Sequence, residues 1–81
     1  MGKLPTIRLT VHAQMRMFER SIDINDVKWA VQEPDNRSSD SYGTIKVKKK
    51  IRDREIVVIY LEEKYKDKGV EYLVVTFYYL N

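Results

Sequence analysis

The hydrophobic pattern of this 81-residue chain changes its period between residues 34 and 43. Before Pro34, apolar residues recur every three to four positions, which is the spacing of one face of an α-helix. After Gly43 they alternate with polar residues or form continuous runs, as in β-strands. Helices followed by strands are typical of an α+β layer pair, in which the helices pack on a sheet.

Two helices are predicted in the first half of the chain. The first has Thr10 as its N-cap and runs to about Arg20. Its apolar residues lie at i, i+4, i+7 and i+11, and we expect them to face the core: Val11, Met15, Phe18 and Ile22. The second begins after Asp23, a capping residue, and stops before Pro34. Its expected inner face consists of Val27, Ala30 and Val31. A tight helix hairpin is the expected result.

The other segments are predicted to form a sheet. Ile7 and Leu9 alternate with polar residues and indicate a short first strand, whereas the polar run at 35–43 indicates a loop. The strand at 45–51 has an apolar face that Lys49 interrupts or marks as a bulge. A turn at 52–54 leads into EIVVIYLE, and the loop KYKDKG leads into VEYLVVTFYYL. Both of these strands are apolar on two faces, as expected for central strands or for a sheet that a partner covers.

The expected fold is therefore a single α+β domain spanning residues 1–81, with the element order β-α-α-β-β-β. In it, the helix hairpin packs on an antiparallel sheet of three to four strands. A chain of this size buries only about 60 to 65% of its unfolded surface. We therefore expect a second copy to complete the thin core, so that the protein forms a homodimer.

Composition excludes several classes of function. The chain has no cysteine and one histidine, so disulfide chemistry is excluded and a zinc site is disfavoured. Its three glycines lie too far apart for a nucleotide-binding loop, and the carboxylates do not converge by spacing, so no metal and no cofactor are expected. The chain lacks a signal-peptide pattern and any run of about 20 apolar residues. A cytoplasmic protein without membrane contact is the expectation.

A first candidate site lies on the first helix. His12, Arg16 and Arg20 are spaced i, i+4, i+8, so they form one ridge, called here the basic ridge. Guanidinium groups bind phosphate oxygens in pairs, and an imidazole can accept or donate a proton near neutral pH. The pattern fits a phosphodiester site, but it also fits a surface on which the arginines neutralise nearby carboxylates.

A second candidate site is the strongly basic hairpin in the strand half. Residues 46–54 have a net charge of +5, although the whole chain has only +3. The candidate nucleic-acid-binding residues are Lys46, Lys48, Lys50, Arg52 and Arg54. The strands that follow carry Tyr60, Tyr72, Tyr78 and Tyr79, which could stack on bases. An equally good reading is an edge strand that lysines protect from aggregation.

The segment HAQMRMFERSI at 12–22, followed by an acidic helix start and by Glu33-Pro34-Asp35, resembles a known signature. It is that of an uncharacterised bacterial and archaeal family, domain of unknown function 4258, with the motif H-A-x-x-R-M-x-x-R-x-I. In element order, such domains are similar to the RelE/ParE and BrnT-like toxins of toxin-antitoxin systems, many of which cleave RNA. This similarity implies a RelE-toxin-like fold and an antitoxin partner. By place in the fold, it also implies Arg52 or Arg54 and Tyr78 as counterparts of the toxins' catalytic residues. Ribosome-dependent toxins are usually more basic than +3, which argues against ribosome binding here.

Together these patterns predict a small toxin-like protein that binds RNA and cleaves it without a metal ion. In this hypothesis the ribose 2′-hydroxyl attacks the adjacent phosphate, and His12 acts as general base or acid. Arg16 and Arg20 hold the phosphate, and Tyr78 is a further candidate catalytic residue. The alternatives are a non-catalytic module for protein interaction or homodimerisation, and nonspecific binding of DNA or RNA.

Overall fold

The computed structural model describes residues 7–39, 43–65 and 69–80, and it shows an α+β fold, as predicted. The elements in chain order are β1 (Ile7–Leu9), α1 (Val11–Arg20), α2 (Ile24–Gln32), β2 (Asn36–Ser39), β3 (Thr44–Ile51), β4 (Arg54–Tyr65) and β5 (Gly69–Leu80). The predicted loop at 64–69 lies partly outside the described residues. No helix in the described ranges has the length and apolar character needed to cross a bilayer.

The helix boundaries are those predicted from the capping residues. Thr10 Oγ1 accepts a hydrogen bond of 3.1 Å from the backbone N–H of Ala13, which starts α1. Ser21 ends α1 in the left-handed conformation, with φ of 52°. Asp23 caps α2 by accepting a hydrogen bond of 2.9 Å from the Asn25 N–H. Pro34 follows the end of α2, because the residue before a proline disfavours the helical conformation.

The sheet differs from the prediction in strand number and direction. It has five strands in the order β1-β5-β4-β3-β2, rather than three to four. It is also mixed rather than antiparallel, because β1 runs parallel to β5 while the other neighbours are antiparallel. The chain passes through the two helices after β1 and then forms the other strands. The last strand, β5, pairs with β1, which lies at the edge of the sheet. The added strand, β2, lies in the polar run expected to be a loop; all its residues are exposed, and an edge strand of this kind needs no apolar face.

Both helices pack on one face of the sheet, called here the helix face. The strands contribute to the buried core Ile45, Val47, Ile51, Ile56, Val58, Tyr60, Val74 and Phe77. The helical segment contributes Ala13, Ile22, Val27, Ala30 and Val31. Alternate strand residues point to the opposite face, called here the open face, which no described element covers. Val57 is fully buried there, outside the main core cluster.

The orientation of α1 corrects the prediction from its apolar stripe. Ala13 is fully buried and Met17 packs against the core, whereas Val11, Met15 and Phe18 face solvent. The start of the helix explains this rotation. The backbone N–H of Thr10 donates to Val74 O over 3.1 Å, and its hydroxyl donates to Val75 O over 2.9 Å. This double attachment to β5 fixes which side of α1 meets the sheet, and the small side chain of Ala13 lets the backbone come close.

Helix α2 crosses the sheet, and Lys49 has a role in this arrangement. Tyr79, Ile56 and Lys49 are cross-strand neighbours on β5, β4 and β3. The first turn of α2 contacts Tyr79 and its C-terminal end contacts Lys49, so the helix passes over this row. Pairing is regular at Lys49; the register shift in the described sheet lies instead at 59–60, between β4 and β5. The bulge considered for Lys49 is therefore wrong, and its side chain interrupts the apolar face to reach the helix.

Candidate functional site

The basic ridge lies on α1, where its first two members are in contact. The guanidinium Nε of Arg16 donates a hydrogen bond of 3.4 Å to His12 Nε2, as the i, i+4 spacing permits. His12 and Arg20 are exposed, and Arg16 is half-buried. One nitrogen of the imidazole ring thus lies directly beside a guanidinium group.

No ion pair neutralises the ridge within the described parts of the chain. Neither Arg16 nor Arg20 has a carboxylate oxygen within ion-pair distance there. Within those parts, no ion pair supports the alternative reading, in which these arginines balance carboxylates. Two guanidinium groups and an imidazole on a solvent-facing helix flank can bind a phosphate, with a proton acceptor next to it.

The lysines of the basic hairpin lie elsewhere. Lys46, Lys48 and Lys50 alternate with core residues of β3, so they form a row on the open face, called here the lysine row. Beside this row is a shallow depression of about 400 Å³ between β2 and β3. It is lined by Asn36, Arg37, Ser38, Lys46 and Lys48. The arrangement forms a cationic strip on one side of the sheet.

The two hairpin arginines do not join that strip. Arg52 is exposed at the tip of the β3–β4 turn, where its φ of 59° places the backbone in the left-handed region. Arg54 lies on the helix face, with its guanidinium carbon 4.2 Å from the centre of the Tyr79 ring. The five basic residues predicted to act together are therefore distributed over three places.

The tyrosines are also divided between the two faces. Tyr60 is buried in the core, with its ring centre 5.1 Å from that of Tyr72 in an edge-to-face contact. Stacking of Tyr60 on a base is therefore excluded, and that part of the prediction is wrong. Tyr78 lies on the open face opposite Val57, because its chain neighbours Phe77 and Tyr79 point to the helix face.

The sheet therefore separates the predicted site residues. The basic ridge belongs to a helix on one side, and the lysine row and Tyr78 lie on the other. A single phosphate cannot touch His12 and Tyr78 at the same time. Among the candidate catalytic residues, His12, Arg16 and Arg20 share one helix flank, whereas Tyr78 is separated from them by the sheet.

One cluster near the start of α2 was not found by sequence reasoning. Tyr79 donates its phenolic hydrogen to Asp26 Oδ2 over 3.5 Å, while Arg54 stacks on the same ring. Burial raises the pKa of Tyr79, and the negative charge of Asp26 raises it further, whereas Arg54 opposes the shift. Sequence could not show this cluster because Asp26 and Tyr79 are 53 positions apart. Its contacts hold the first turn of α2 on β5.

The described residues contain no group of three or more histidine or carboxylate side chains that could hold a metal ion.

A family model described as "Domain of unknown function (DUF4258)" matches residues 9–79. The match includes α1 and nearly all of the sheet. No curated protein matches the chain, and no solved structure matches it. The likeness to the RelE/ParE and BrnT-like toxins stays a prediction.

Proposed function

Since the chain belongs to the DUF4258 family, a domain of unknown function, its activity has to be argued from its own surface, and we propose that it binds RNA and cleaves it without a metal ion at the basic ridge. The observation that carries the proposal is the contact between His12 Nε2 and Arg16 Nε on a solvent-facing flank. A proton acceptor and a phosphate-binding group are thereby held together.

The chemistry is an in-line attack within the RNA chain. The ribose O2′ forms a bond to the adjacent phosphorus, and the bond from phosphorus to O5′ breaks. An incoming phosphate draws the Arg16 guanidinium to its oxygens and frees His12 Nε2, which takes the 2′-hydroxyl proton. The departing O5′ takes a proton from solvent, so the products are a 2′,3′-cyclic phosphate and a 5′-hydroxyl. Arg16 and Arg20 stabilise the negative charge on the phosphate during attack.

The lysine row contributes to RNA binding in this proposal but not to the bond-breaking step. Its charges lie on the far side of the sheet from His12, so they act by attracting the polyanion rather than by touching the reacting phosphate. Attraction of this kind is independent of sequence and is weakened by salt. Tyr78, which the sequence suggested as a catalytic residue together with His12, lies on the open face and has no part in the proposed step.

The deciding experiment is incubation of the purified chain with defined single-stranded RNA in EDTA, followed by end-group analysis. We expect new 2′,3′-cyclic phosphate ends that disappear with His12→Ala and are strongly reduced with Arg16→Lys. The latter keeps the positive charge but removes the guanidinium fork. Gln14→Ala, on the other flank of α1, is the matched control and should cleave normally. Cyclic ends that persist in His12→Ala, or no cleavage of any RNA by the wild type, would overturn the assignment.

A second candidate function, a non-catalytic homodimerisation module, is favoured by the open face. Ile59, Leu73 and Tyr78 are half-buried there, and no described element packs on them. Face-to-face packing of two such sheets would bury these side chains about 10 Å from their counterparts. Sedimentation analysis tests this reading: a dimer that Ile59→Glu converts to a monomer, together with no RNA cleavage, would favour the module over the enzyme.

A further inference from the structure

The open face of the sheet carries positive charge and an aromatic ring at a fixed separation. Lys48, Val57 and Tyr78 are cross-strand neighbours on β3, β4 and β5, and alternation places all three on this face. Adjacent strands lie about 4.8 Å apart, so the backbone of Tyr78 is about 10 Å from that of Lys48. We propose that the open face binds a single strand of nucleic acid, with its phosphates at Lys46 and Lys48 and a base stacked on Tyr78.

The phosphate end of this surface consists of two cross-strand pairs on β2 and β3. Ser38 lies opposite Lys46, and Asn36 lies opposite Lys48. Side chains in such pairs start about 5 Å apart, so each pair places a neutral hydrogen-bonding group beside an ammonium group. All four residues line the depression of about 400 Å³ described above. Ammonium, hydroxyl and amide groups all donate to phosphate oxygens, so a phosphate in this depression meets several donors at once.

The distribution of carboxylates shows which lysines are available to a polyanion. The β4 neighbours of Lys46 and Lys48 are apolar, and neither lysine has a carboxylate within ion-pair distance in the described ranges. Lys50 differs, because it lies opposite Glu55 and shares a second depression with Glu55 and Asp53. The uncompensated positive charge of the lysine row is therefore concentrated at Lys46 and Lys48, beside the first depression.

The aromatic end of this surface is Tyr78. Tyr60, Tyr72 and Tyr79 belong to the core on the helix face or pack against it, whereas Tyr78 lies on the open face and is half-buried. A base stacks on an aromatic ring largely independently of its identity. The bases of a duplex are already stacked inside the helix, so this ring favours a single strand.

Other occupants match these observations less well. A second copy packed on the open face would bring its own Lys46 and Lys48, and the described carboxylates beside that face lie at the Lys50 end. An acidic protein segment would neutralise the lysines, but it has no general counterpart for the ring. A nucleotide carries a phosphate and a planar base together, so it can use the charge and the ring at once.

This inference rests on the RNA-binding part of the proposed function and extends it to a second surface. The sheet lies between the basic ridge and the open face, so the phosphates held by Lys46 and Lys48 are not the phosphate attacked at His12. Binding at the open face needs no cleavage, and cleavage at the ridge needs no stacking on Tyr78.

The test uses a fluorescently labelled single-stranded DNA oligonucleotide of mixed sequence. It has phosphates and bases but no 2′-hydroxyl group, so the proposed reaction cannot cut it. The full chain is titrated into this probe at low salt, and a hairpin duplex of the same sequence is the control. Tyr78→Leu should weaken the single strand at least about fivefold and the duplex less than about twofold. Tyr78→Phe keeps the ring and should bind the single strand within about twofold of the wild type.

Two double variants of equal charge test the phosphate end. Lys46→Gln with Lys48→Gln should weaken the single strand at least about tenfold. Lys50→Gln with Arg52→Gln removes the same charge from the same hairpin and should weaken it less than about threefold. Amide signals of the ¹⁵N-labelled chain should shift at positions 46–48, 57 and 78 when the probe binds. Circular dichroism spectra identical to that of the wild type establish that each variant is folded.

Several results would overturn the proposal. Equal losses in the two double variants, no loss with Tyr78→Leu, or amide shifts confined to residues 11–20 would each exclude this site. Displacement of the probe by poly-glutamate at equal concentration of charge would indicate an acidic protein as the occupant. Displacement by inorganic phosphate, but not by chloride at the same ionic strength, would indicate a site for free phosphate. A dimer that Tyr78→Leu dissociates and that does not bind the probe would indicate a second copy.

The open-face proposal and the enzymatic proposal fail separately. Probe binding with these mutational effects, but without RNA cleavage, would remove the catalytic role of the ridge and leave the open-face site in place. RNA cleavage that depends on His12, together with probe binding that Tyr78→Leu leaves unchanged, would remove the open-face site alone.

Discussion

Lys49 Nζ donates a hydrogen bond of 2.8 Å to the backbone carbonyl oxygen of Glu33, the C-cap residue of α2. The same ammonium lies 4.8 Å from the centre of the Trp29 ring and 3.8 Å from Asp35 Oδ1. A cation at the C-terminal end of a helix satisfies a carbonyl group and complements the macrodipole. The side chain of Lys49 is only 12% exposed, so this lysine joins α2 to β3 and does not belong to the cationic strip beside it.

Replacing Lys49 by methionine should therefore destabilise the fold. Methionine keeps the apolar stem but removes the donor to Glu33 and the cation beside Trp29, and we expect the free energy of unfolding to fall by about 1 to 3 kcal/mol. Urea denaturation measures the change. Lys46→Met is the matched control on the open face and should cost less than about 0.5 kcal/mol. Equal losses in the two variants would show that the contact of Lys49 with α2 does not stabilise the fold.

The observed rotation of α1 makes a second prediction about stability. Ala13 is fully buried against the sheet, so Ala13→Leu should cost about 1 to 3 kcal/mol through overpacking. Met15→Ser should change the free energy of unfolding by less than about 0.5 kcal/mol, because Met15 faces solvent. Thermal and urea unfolding of both variants test this. If Met15→Ser cost more stability than Ala13→Leu, the result would indicate that the stripe faces the core, as periodicity alone predicts.

The comparison of these two residues shows what the sequence could and could not reveal. Capping residues and proline act within a few positions, so the ends of α1 and α2 could be predicted. Which side of α1 meets the sheet depends on the bonds from Thr10 to Val74 and Val75, which are made across the chain. The apolar stripe therefore predicts correctly that α1 is a helix, but it does not predict whether the stripe faces the sheet or the solvent.

The same distinction applies to the candidate site. The contact between His12 and Arg16 follows from their spacing on one helix, so the sequence could predict it. The separation of the lysine row from the ridge depends on which sheet face the helices cover, and local patterns do not determine that. The polar strand β2 was missed for a related reason: pairing with β3 creates it, rather than any strand propensity of its own residues.

Tyr79 should make stability depend on pH in the alkaline range. Its pKa is raised in the folded protein, chiefly by burial and then by Asp26, so above about pH 10 the unfolded chain loses this proton more readily than the folded one. The contribution of the Tyr79 hydroxyl to the free energy of unfolding is fully present below about pH 10 and is lost as the pH rises through the folded-state pKa. The free energy of unfolding should therefore fall less steeply between pH 9 and about 11 in Tyr79→Phe than in the wild type. Urea unfolding across this range checks it, with Tyr78→Phe on the open face as the control; an identical slope in Tyr79→Phe and the wild type would contradict the assignment.

The position of the lysine row predicts a separation between RNA binding and RNA cleavage. Lys48 lies on the open face, away from His12, so Lys48→Glu should weaken RNA binding and lower the salt dependence of the binding constant, with a slope change of about 0.7 for the lost phosphate contact. The rate of cleavage at saturating RNA should stay the same, because the reacting phosphate does not touch this side chain. Lys28→Glu, on α2, reverses the same charge outside the row and serves as the control for net charge. Cleavage rates at saturation and filter-binding titrations at several salt concentrations separate the two effects. If Lys48→Glu lowers the saturated rate as much as Arg16→Ala does, the row and the ridge act on one phosphate. The proposal that the two sides of the sheet have different roles would then be wrong.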